Sequence, residues 1–364
     1  MTTQTTPRIT TLEQLHSYLY AALQLEHATI PPYLTALYSL HPETNSAARQ
    51  ILRVVAVEEM LHLSLAANVL NAVGGEPDLT RPDFVPRYPT YLPDGEKDFQ
   101  VDLQPFTPDA VGTFLKIERP AKAASEESRL LRRDRSSRQL LAASPDEPEL
   151  QYYSIGEFYA EIERGLVYLD AAYAAEGREL FVGDPDRQVT PEYFYSGGGE
   201  AIPVTDLKSA LAALRLIAEQ GEGLGGGIYD AEGELAHFYR FQQLDLGHYY
   251  QKDDAAGRPT GPTVEIDWHA VYPTLPNPHL ADYPDGSPLR AAAAEFNQTY
   301  AGFLAFLTGA YNGRPDLLLE AVWRMFRIRD DMNRLIRNPL PGRPGVNAAP
   351  TFELSGPLAG GAGA

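Results

Sequence analysis

Two short segments of the chain carry a glutamate followed three residues later by a histidine. Glu59 and His62 form the first pair, and Glu234 and His237 form the second. On a helix, residues separated by three positions lie on the same face, so each pair can present a carboxylate and an imidazole to one site. Carboxylate oxygens and imidazole nitrogens together suit divalent ions such as iron and manganese. The two pairs are therefore candidate metal ligands.

Single glutamates in other segments extend this pattern. In helical bundles that bind two iron or two manganese ions, two helices each supply one Glu and two others supply Glu-x-x-His, all projecting into the bundle core. Such a set leaves coordination positions for oxygen, peroxide or substrate. The predicted ligands of two iron ions, or of manganese in their place, are Glu26, Glu59, His62, Glu157, Glu222, Glu234 and His237.

The third and fourth helices leave alternatives open. Glu157 stands three residues after Ser154, which is the spacing of a capping box, and its carboxylate would then bind the backbone amide of Ser154. Glu161, one turn later, would replace it as a ligand. Glu222 is followed by a glycine and can supply the carboxylate of the fourth helix in place of Glu234. Spacing alone does not choose between these glutamates.

The surroundings of Glu59 give the strongest indication of a buried metal. An isolated Glu-x-x-His pair is more commonly a solvated or salt-bridged surface pair. Glu59 and His62, however, lie in VVAVEEMLHLSLAANVL, which is apolar on every helical face. An unpaired carboxylate buried there costs several kcal/mol, so a compensating cation is expected. Glu58 shares these surroundings, but only Glu59 has a histidine three residues on.

Apolar residues at steps of three and four predict the helices that position these side chains. The first helix carries Glu26 on its apolar stripe, and the second ends near Gly74-Gly75. The predicted fold is all-α, a four-helix bundle with long crossover insertions and extra C-terminal helices. The predicted divisions are a metal-binding bundle over 1–255, a helical extension packed on it over 256–340 and a flexible tail over 341–364.

Two consecutive prolines, Pro31 and Pro32, follow Glu26 on the first helix. Each ring removes an amide donor and crowds the preceding turn, so the pair predicts a kink or an interruption just beyond Glu26. Alternatively, the prolines start a second helical piece with Thr29 as its cap. His27 points about 100° away from Glu26 on a helix, which makes it a poor ligand of the same ion.

Composition and charge exclude several other classes of site and partner. The chain has no cysteine, which excludes disulfides, iron–sulfur clusters and zinc–thiolate sites. A formal net charge of -19 argues against a nucleic-acid partner, and the one basic patch, from Ser128 to Leu141, is flanked by acidic residues and proline. The sequence shows neither a secretory signal nor an apolar run that could span a bilayer. We therefore expect a soluble, cytoplasmic protein without a membrane partner.

Several stretches resemble the ferritin-like family related to the iminophenylpyruvate dimer synthase domain of violacein-type bisindole biosynthesis. They are LEHATIPPYLTALYSL, VEEMLHLSLAANVLNAVGG, SIGEFYAEI, EQGEG, ELAHFYRF, PNPHLADYPDGSPL and APTFEL. The resemblance covers most of the chain and implies a ferritin-like bundle with a non-haem metal centre. For characterised relatives, it also implies oxidative coupling of an imine derived from an aromatic amino acid.

These observations favour an oxidoreductase of secondary metabolism. A dinuclear iron centre would activate oxygen or peroxide and oxidise or couple a small amine, imine or amino-acid-derived substrate. A manganese-catalase-like peroxide dismutase is the alternative from another enzyme class, and a non-catalytic metal-binding or storage protein is the third hypothesis. The two late helices would either cover the bundle or form the interface of a homo-oligomer.

Overall fold

Eight α-helices form most of the regular structure in the described part of the chain. The computed structural model describes residues 7–95, 97–121, 152–194 and 197–354. The helices are α1 (Leu12–Ser39), α2 (Ser46–Ala72), α3 (Pro108–Ile117), α4 (Ile155–Ala175), α5 (Leu207–Glu222), α6 (His237–Leu246), α7 (Pro288–Tyr311) and α8 (Leu317–Ile336). The described residues contain isolated β-bridges but no sheet. The predicted all-α fold is confirmed.

Helices α1, α2, α4 and α5 form the four-helix bundle. α1 packs along α2 and against α4, and α5 packs against both α2 and α4. The starts of three of these helices are fixed by the side chains of Thr11, Ser154 and Asp206, each of which accepts a hydrogen bond from the amide three residues on. The crossover from α2 to α4 contains α3, which packs on α6. The predicted bundle with a long crossover insertion is thus confirmed.

The paired prolines do not end the first helix, because α1 continues through Pro31 and Pro32 to Ser39. Pro32 has no amide proton to donate to the carbonyl oxygen of Ala28. The hydroxyl of Tyr88 donates to that oxygen instead, at 2.8 Å. The expected interruption and the alternative of a second helical piece are therefore both wrong, whereas a kink within the continuous helix stays a prediction. A residue from the crossover replaces one of the lost hydrogen bonds.

The C-terminal helices α7 and α8 pack on each other and against the bundle, α7 on α2 and α8 on α1. Of the residues that follow them, 341–345 are exposed and 348–352 are buried. The ring of Phe352 lies against Phe296 and Tyr300, and the hydroxyl of Thr351 donates to the side chain of Asn297 at 2.9 Å. Part of the predicted flexible tail is thus packed on α7, and the flexibility of the tail stays a prediction.

Several predictions fall outside the described residues. They concern the basic patch from Ser128 to Leu141 and residues 355–364 at the end of the chain. The division of the chain into domains stays a prediction. Among the described helices, none combines the length and the apolar composition that crossing a membrane requires.

Removing the hydroxyl of Tyr88, which donates to the carbonyl oxygen that Pro32 leaves without a donor, should destabilise the fold. Tyr88→Phe keeps the ring but leaves the buried carbonyl of Ala28 without its donor, so we expect the free energy of unfolding to fall by about 1–2 kcal/mol. Urea denaturation followed by circular dichroism measures this change. Tyr91 is 41% exposed, and Tyr91→Phe should change stability by less than about 0.5 kcal/mol. Equal stability of Tyr88→Phe and wild type would show that Tyr88 does not compensate for the prolines.

Candidate metal centre

Five buried side chains from four helical regions meet between the helices. Glu26 comes from α1, Glu59 and His62 from α2, Glu118 from the end of α3, and His237 from the first residue of α6. Each of the five is at most 3% exposed. They form two groups that share Glu59, and within each group one ligand atom per residue lies within 4.8 Å of the others.

The distances give each group one imidazole and two carboxylates. In the first group, Nδ1 of His62 lies 3.3 Å from Glu26 and 3.8 Å from Glu59. In the second group, Nδ1 of His237 lies 2.9 Å from Glu59 and 3.5 Å from Glu118. The two imidazole rings are stacked with their centroids 5.4 Å apart. The shared carboxylate of Glu59 therefore lies between two adjacent groups of nitrogen and oxygen atoms.

The outward nitrogens of both imidazoles are held by neighbouring side chains. Nε2 of His62 lies 2.9 Å from the amide oxygen of Gln220. The amide nitrogen of Gln220 donates to the carbonyl of Gly198 at 2.7 Å, which fixes the orientation of this amide. Nε2 of His237 lies 2.8 Å from a carboxylate oxygen of Glu58. Because both partners accept, each imidazole carries a proton on Nε2 and turns Nδ1 toward the carboxylates. In its neutral form, such an imidazole offers the Nδ1 lone pair to a metal ion.

This arrangement of nitrogens suits a metal ion. Among the described residues, Nδ1 of His237 has no aligned hydrogen-bond partner although it is fully buried. A metal-bound histidine commonly donates its other N–H to a carboxylate or carbonyl oxygen, as Nε2 of both histidines does here. Three carboxylates and two such imidazoles are a donor set for iron or manganese. The side chains present are therefore chemically suited to hold metal ions.

Hydroxyl groups support the carboxylates from outside the cluster. Tyr159 donates to Glu26 and Tyr33 donates to Glu118 in short hydrogen bonds. The hydroxyl of Thr29 donates to Oε2 of Glu59 at 3.0 Å. Each carboxylate thus has one oxygen bound by the protein, which restricts its rotation and leaves the other oxygen close to an imidazole.

Burial and neighbouring charges shift the pKa values of the cluster residues and of Glu58. Burial, followed by the neighbouring charge of Glu118, raises the pKa of Glu59 to about 7. Burial disfavours a charged imidazole, but the carboxylates around His62 and His237 outweigh it and raise the pKa of both histidines. Burial also opposes ionisation of Glu58, but His237 and Arg240 outweigh it and lower the pKa of this carboxyl. The cluster thus attracts positive charge.

Glu157, which the sequence predicts as a ligand, and its alternative Glu161 both make contacts outside the cluster. Glu157 accepts from the amide of Tyr153 at 3.2 Å, one residue before the predicted partner, and its own amide donates to Ser154. This is a cap of α4, and the structure does not bring Glu157 into the cluster. Glu161 accepts from the amide of Arg8 at 2.6 Å. It also pairs with Arg164 at 2.5 Å, so it is absent from the cluster as well.

Glu234 is not brought to the cluster either. Helix α6 begins at His237, so Glu234 lies before the helix. The two residues therefore do not share one helical face, contrary to the expectation from the sequence. The side chain of Glu234 is 65% exposed and pairs with Arg240 at 2.9 Å. Glu222 lies closer to the cluster than Glu234 does, and it lines a small pocket beside the cluster. Its carboxylate accepts from the amides of Ala121 and Gly156 at 2.9 and 2.7 Å, so it caps α4.

Glu118 is the cluster residue that the sequence analysis missed. It directly follows α3 in the predicted short helix TPDAVGTFLKIE. Val111, Phe114 and Glu118 follow steps of three and four, and the two apolar residues are buried. An acid in line with an apolar stripe was also the signal that indicated Glu26. Applying it to the crossover segment would have found Glu118.

A helical bundle with carboxylates and imidazoles between its helices is an architecture shared by many metal proteins. A family model described as Ferritin-like matches residues 19–246, more than half of the chain, and this range includes all five cluster residues. The chain therefore belongs to the ferritin-like family. The ferritin-like resemblance inferred from the sequence is confirmed.

Two similar proteins extend the comparison. Dichlorochromopyrrolate synthase of Lentzea aerocolonigenes is 28% identical in an alignment 334 positions long, which covers 85% of this chain and 30% of that enzyme. The chain thus spans less than a third of the length of this curated relative. A ferritin-like protein from Caulobacter vibrioides, known from its crystal structure, is 24% identical with a TM-score of 0.60. That alignment covers 90% of this chain and 96% of the other, and it supports the fold.

The buried carboxylates predict a pH-dependent stability for protein stripped of metal by a chelator. Because the folded-state pKa of Glu59 is raised to about 7, its protonation stabilises the fold at acidic pH, and this contribution is lost as the pH rises through about 7. The raised pKa values of His62 and His237 act in the same direction. We expect the free energy of unfolding to fall on the order of 3 kcal/mol between about pH 5 and pH 8.

The neutral amide in Glu59→Gln should flatten this profile, because it cannot lose a proton. Urea denaturation at several pH values measures the effect. Glu234→Gln, a change at an exposed side chain, is the matched control and should retain the slope of the wild type. An unchanged slope in Glu59→Gln would show that Glu59 does not contribute to the pH dependence.

Proposed function

We propose that the protein is a non-haem dinuclear metal oxidoreductase that activates oxygen or peroxide to oxidise or couple a small amine, imine or amino-acid-derived substrate. The observation that carries this proposal is the burial of Glu26, Glu59 and Glu118 together. Within the described residues, the ion pairs of these three carboxylates are made with His62 and His237. Two imidazolium charges do not balance three ionised carboxylates, and bound cations would supply the missing charge without protonation of Glu59.

Two iron ions are the proposed occupants, with manganese as the alternative, because the ligand types suit both. Glu26 and His62 would hold one ion, and Glu118 and His237 would hold the other. Glu59 belongs to both groups and would help to hold both ions. Glu157, Glu222 and Glu234, which the sequence predicts as ligands, are not part of this proposed set.

The proposed metal pair would supply the redox chemistry with oxygen that amino-acid side chains lack. The protein residues would hold and orient it. Gln220 and Glu58 fix the two imidazole rings through their Nε2 atoms. Tyr159, Tyr33 and Thr29 fix the carboxylates through their hydroxyl groups. Such supporting hydrogen bonds commonly change metal affinity or activity by about 10- to 100-fold.

The size of the small pocket beside the cluster supports the proposal that the reactant at this point is diatomic or similarly small. Its volume is about 10 Å³, and Glu26, Glu59, His62 and Glu118 form part of its wall. A pocket of this size is close to the minimum for one water molecule. Oxygen or peroxide therefore suits this space better than an organic substrate does.

The match to an enzyme named dichlorochromopyrrolate synthase supports a role in biosynthesis. The shared region is most of this chain but a minor part of that enzyme. The proposal for this protein is therefore limited to the type of chemistry, oxidation or coupling of a small nitrogen-containing compound. A manganese-catalase-like dismutase is the second candidate, because the same small pocket would accept peroxide without an organic substrate.

Metal content distinguishes the proposed ligands from those predicted by spacing. Protein purified without chelators and loaded with iron(II) should contain about two ions per chain. Glu118→Ala should lose at least one of the two, whereas Glu234→Ala should keep both. Elemental analysis measures the content, and circular dichroism verifies that both variants are helical. Loss of metal in Glu234→Ala with retention in Glu118→Ala would contradict the assignment.

Oxygen consumption tests the proposed reaction class. Phenylpyruvate with ammonium, which forms an imine in solution, is a suitable aromatic probe. The iron-loaded protein should consume oxygen when this mixture is added, and His237→Ala should lower the rate at least 100-fold, because one ion loses its imidazole ligand. An oxygen electrode records the rate. Oxygen release from peroxide by the manganese-loaded protein, with no imine-dependent uptake by the iron form, would instead favour the dismutase.

A further inference from the structure

A second cavity, of about 190 Å³, lies between α1, α2 and the C-terminal pair α7 and α8. It is separate from the candidate metal centre, since none of the five cluster residues lines it. The same two helices serve both sites. Glu26 and Glu59 belong to the cluster, whereas the adjacent residues His27 and Met60 line the cavity.

The walls of this cavity are mainly apolar and aromatic. The aromatic part comes from Tyr193, Phe194, Tyr300, Phe303 and Tyr311, and aliphatic side chains supply most of the rest. An engineered apolar cavity of about 150 Å³ in another protein binds benzene. The volume here therefore suits a compact aromatic molecule. Arg53, an exposed residue of the lining, marks the side at which the cavity reaches solvent.

One buried polar side chain in the lining is incompletely satisfied. Nε2 of His27 is hydrogen-bonded with the hydroxyl of Tyr300 at 2.5 Å. Nδ1 of His27 is buried and has no hydrogen-bond partner among the described residues. The hydroxyls of Ser64 and Tyr311, also in the lining, bond to each other at 3.0 Å. A buried polar atom without a partner destabilises the protein, and a ligand with a complementary group would remove this cost.

We propose that this cavity binds a compact phenol-like molecule, with its ring between the aromatic walls and its hydroxyl bonded to Nδ1 of His27. A phenolic hydroxyl both donates and accepts, so it serves either tautomer of this imidazole. The ring provides apolar surface for the aliphatic and aromatic lining. This site is additional to the proposed oxidoreductase centre and does not depend on bound metal.

Ligand binding to the full chain tests the proposal. The probes are 4-fluorophenol and fluorobenzene, which differ by the hydroxyl, and fluorine NMR titration measures their affinities. We expect saturable binding of 4-fluorophenol, at least tenfold tighter than that of fluorobenzene. His27→Phe should remove this difference. Absence of saturable binding by 4-fluorophenol, or equal affinity of the wild type for both probes, would overturn the proposal.

Filling the cavity locates the binding. Val322 and Met325 line it from α8, so Val322→Trp and Met325→Trp should each weaken 4-fluorophenol binding at least tenfold. Two plugs are used in case one variant does not fold, and circular dichroism identifies the folded ones. Val182 is 64% exposed and is not part of the lining, so Val182→Trp is the matched control and should bind as the wild type does. Undiminished binding in a folded plug variant would place the ligand elsewhere.

The metal centre is the main competing location for a phenol. Glu59→Ala with His62→Ala removes the shared carboxylate and one imidazole of the proposed centre but no residue of the cavity lining. This double variant should retain 4-fluorophenol binding while it loses metal. Loss of binding together with metal would assign the phenol to the metal centre and overturn the cavity proposal. Retention of binding in a variant that also retains metal would leave the cavity proposal supported and count against the dinuclear centre.

Discussion

The burial of three carboxylates at one point in the bundle is the constraint on which the rest of the site depends. Glu26, Glu59 and Glu118 are nearly inaccessible to solvent, and each would repel the others if all were ionised without compensation. His62 and His237 reduce this cost but carry too little charge to remove it. Metal ions at the two groups would provide the missing positive charge and explain why both imidazoles turn Nδ1 inward.

The supporting structure is arranged around this constraint. α1 and α2 are the central helices, and they carry the cluster on one side and the apolar cavity on another. Pro31 and Pro32 lie in α1 within two turns of Glu26, yet the helix is continuous because Tyr88 from the crossover binds a carbonyl that they leave free. The crossover also supplies Glu118. It thus completes the site as well as connecting two bundle helices.

The sequence predicted the helices well because their apolar periodicity is strong. Four of the residues that meet in the cluster were also predicted from the sequence. Glu26, Glu59 and His62 stand on apolar stripes, where an acid or a histidine is unusual, and His237 was predicted from its spacing to Glu234. The prediction that Glu234 joins His237 at one site assumes helical spacing, but α6 begins only at His237. Glu157 was predicted as a ligand because a helix cap and a ligand have the same local sequence. Glu118 was missed because its helix lies in the crossover. Only the tertiary arrangement shows which acids meet.

The most direct test of the central account is anomalous diffraction from crystals of the iron-loaded protein, recorded on both sides of the iron absorption edge. The account predicts two anomalous peaks. One should lie between Glu26, Glu59 and His62, and the other between Glu59, Glu118 and His237. Well-ordered side chains with no peak between them, or iron bound only at another place in the chain, would contradict it.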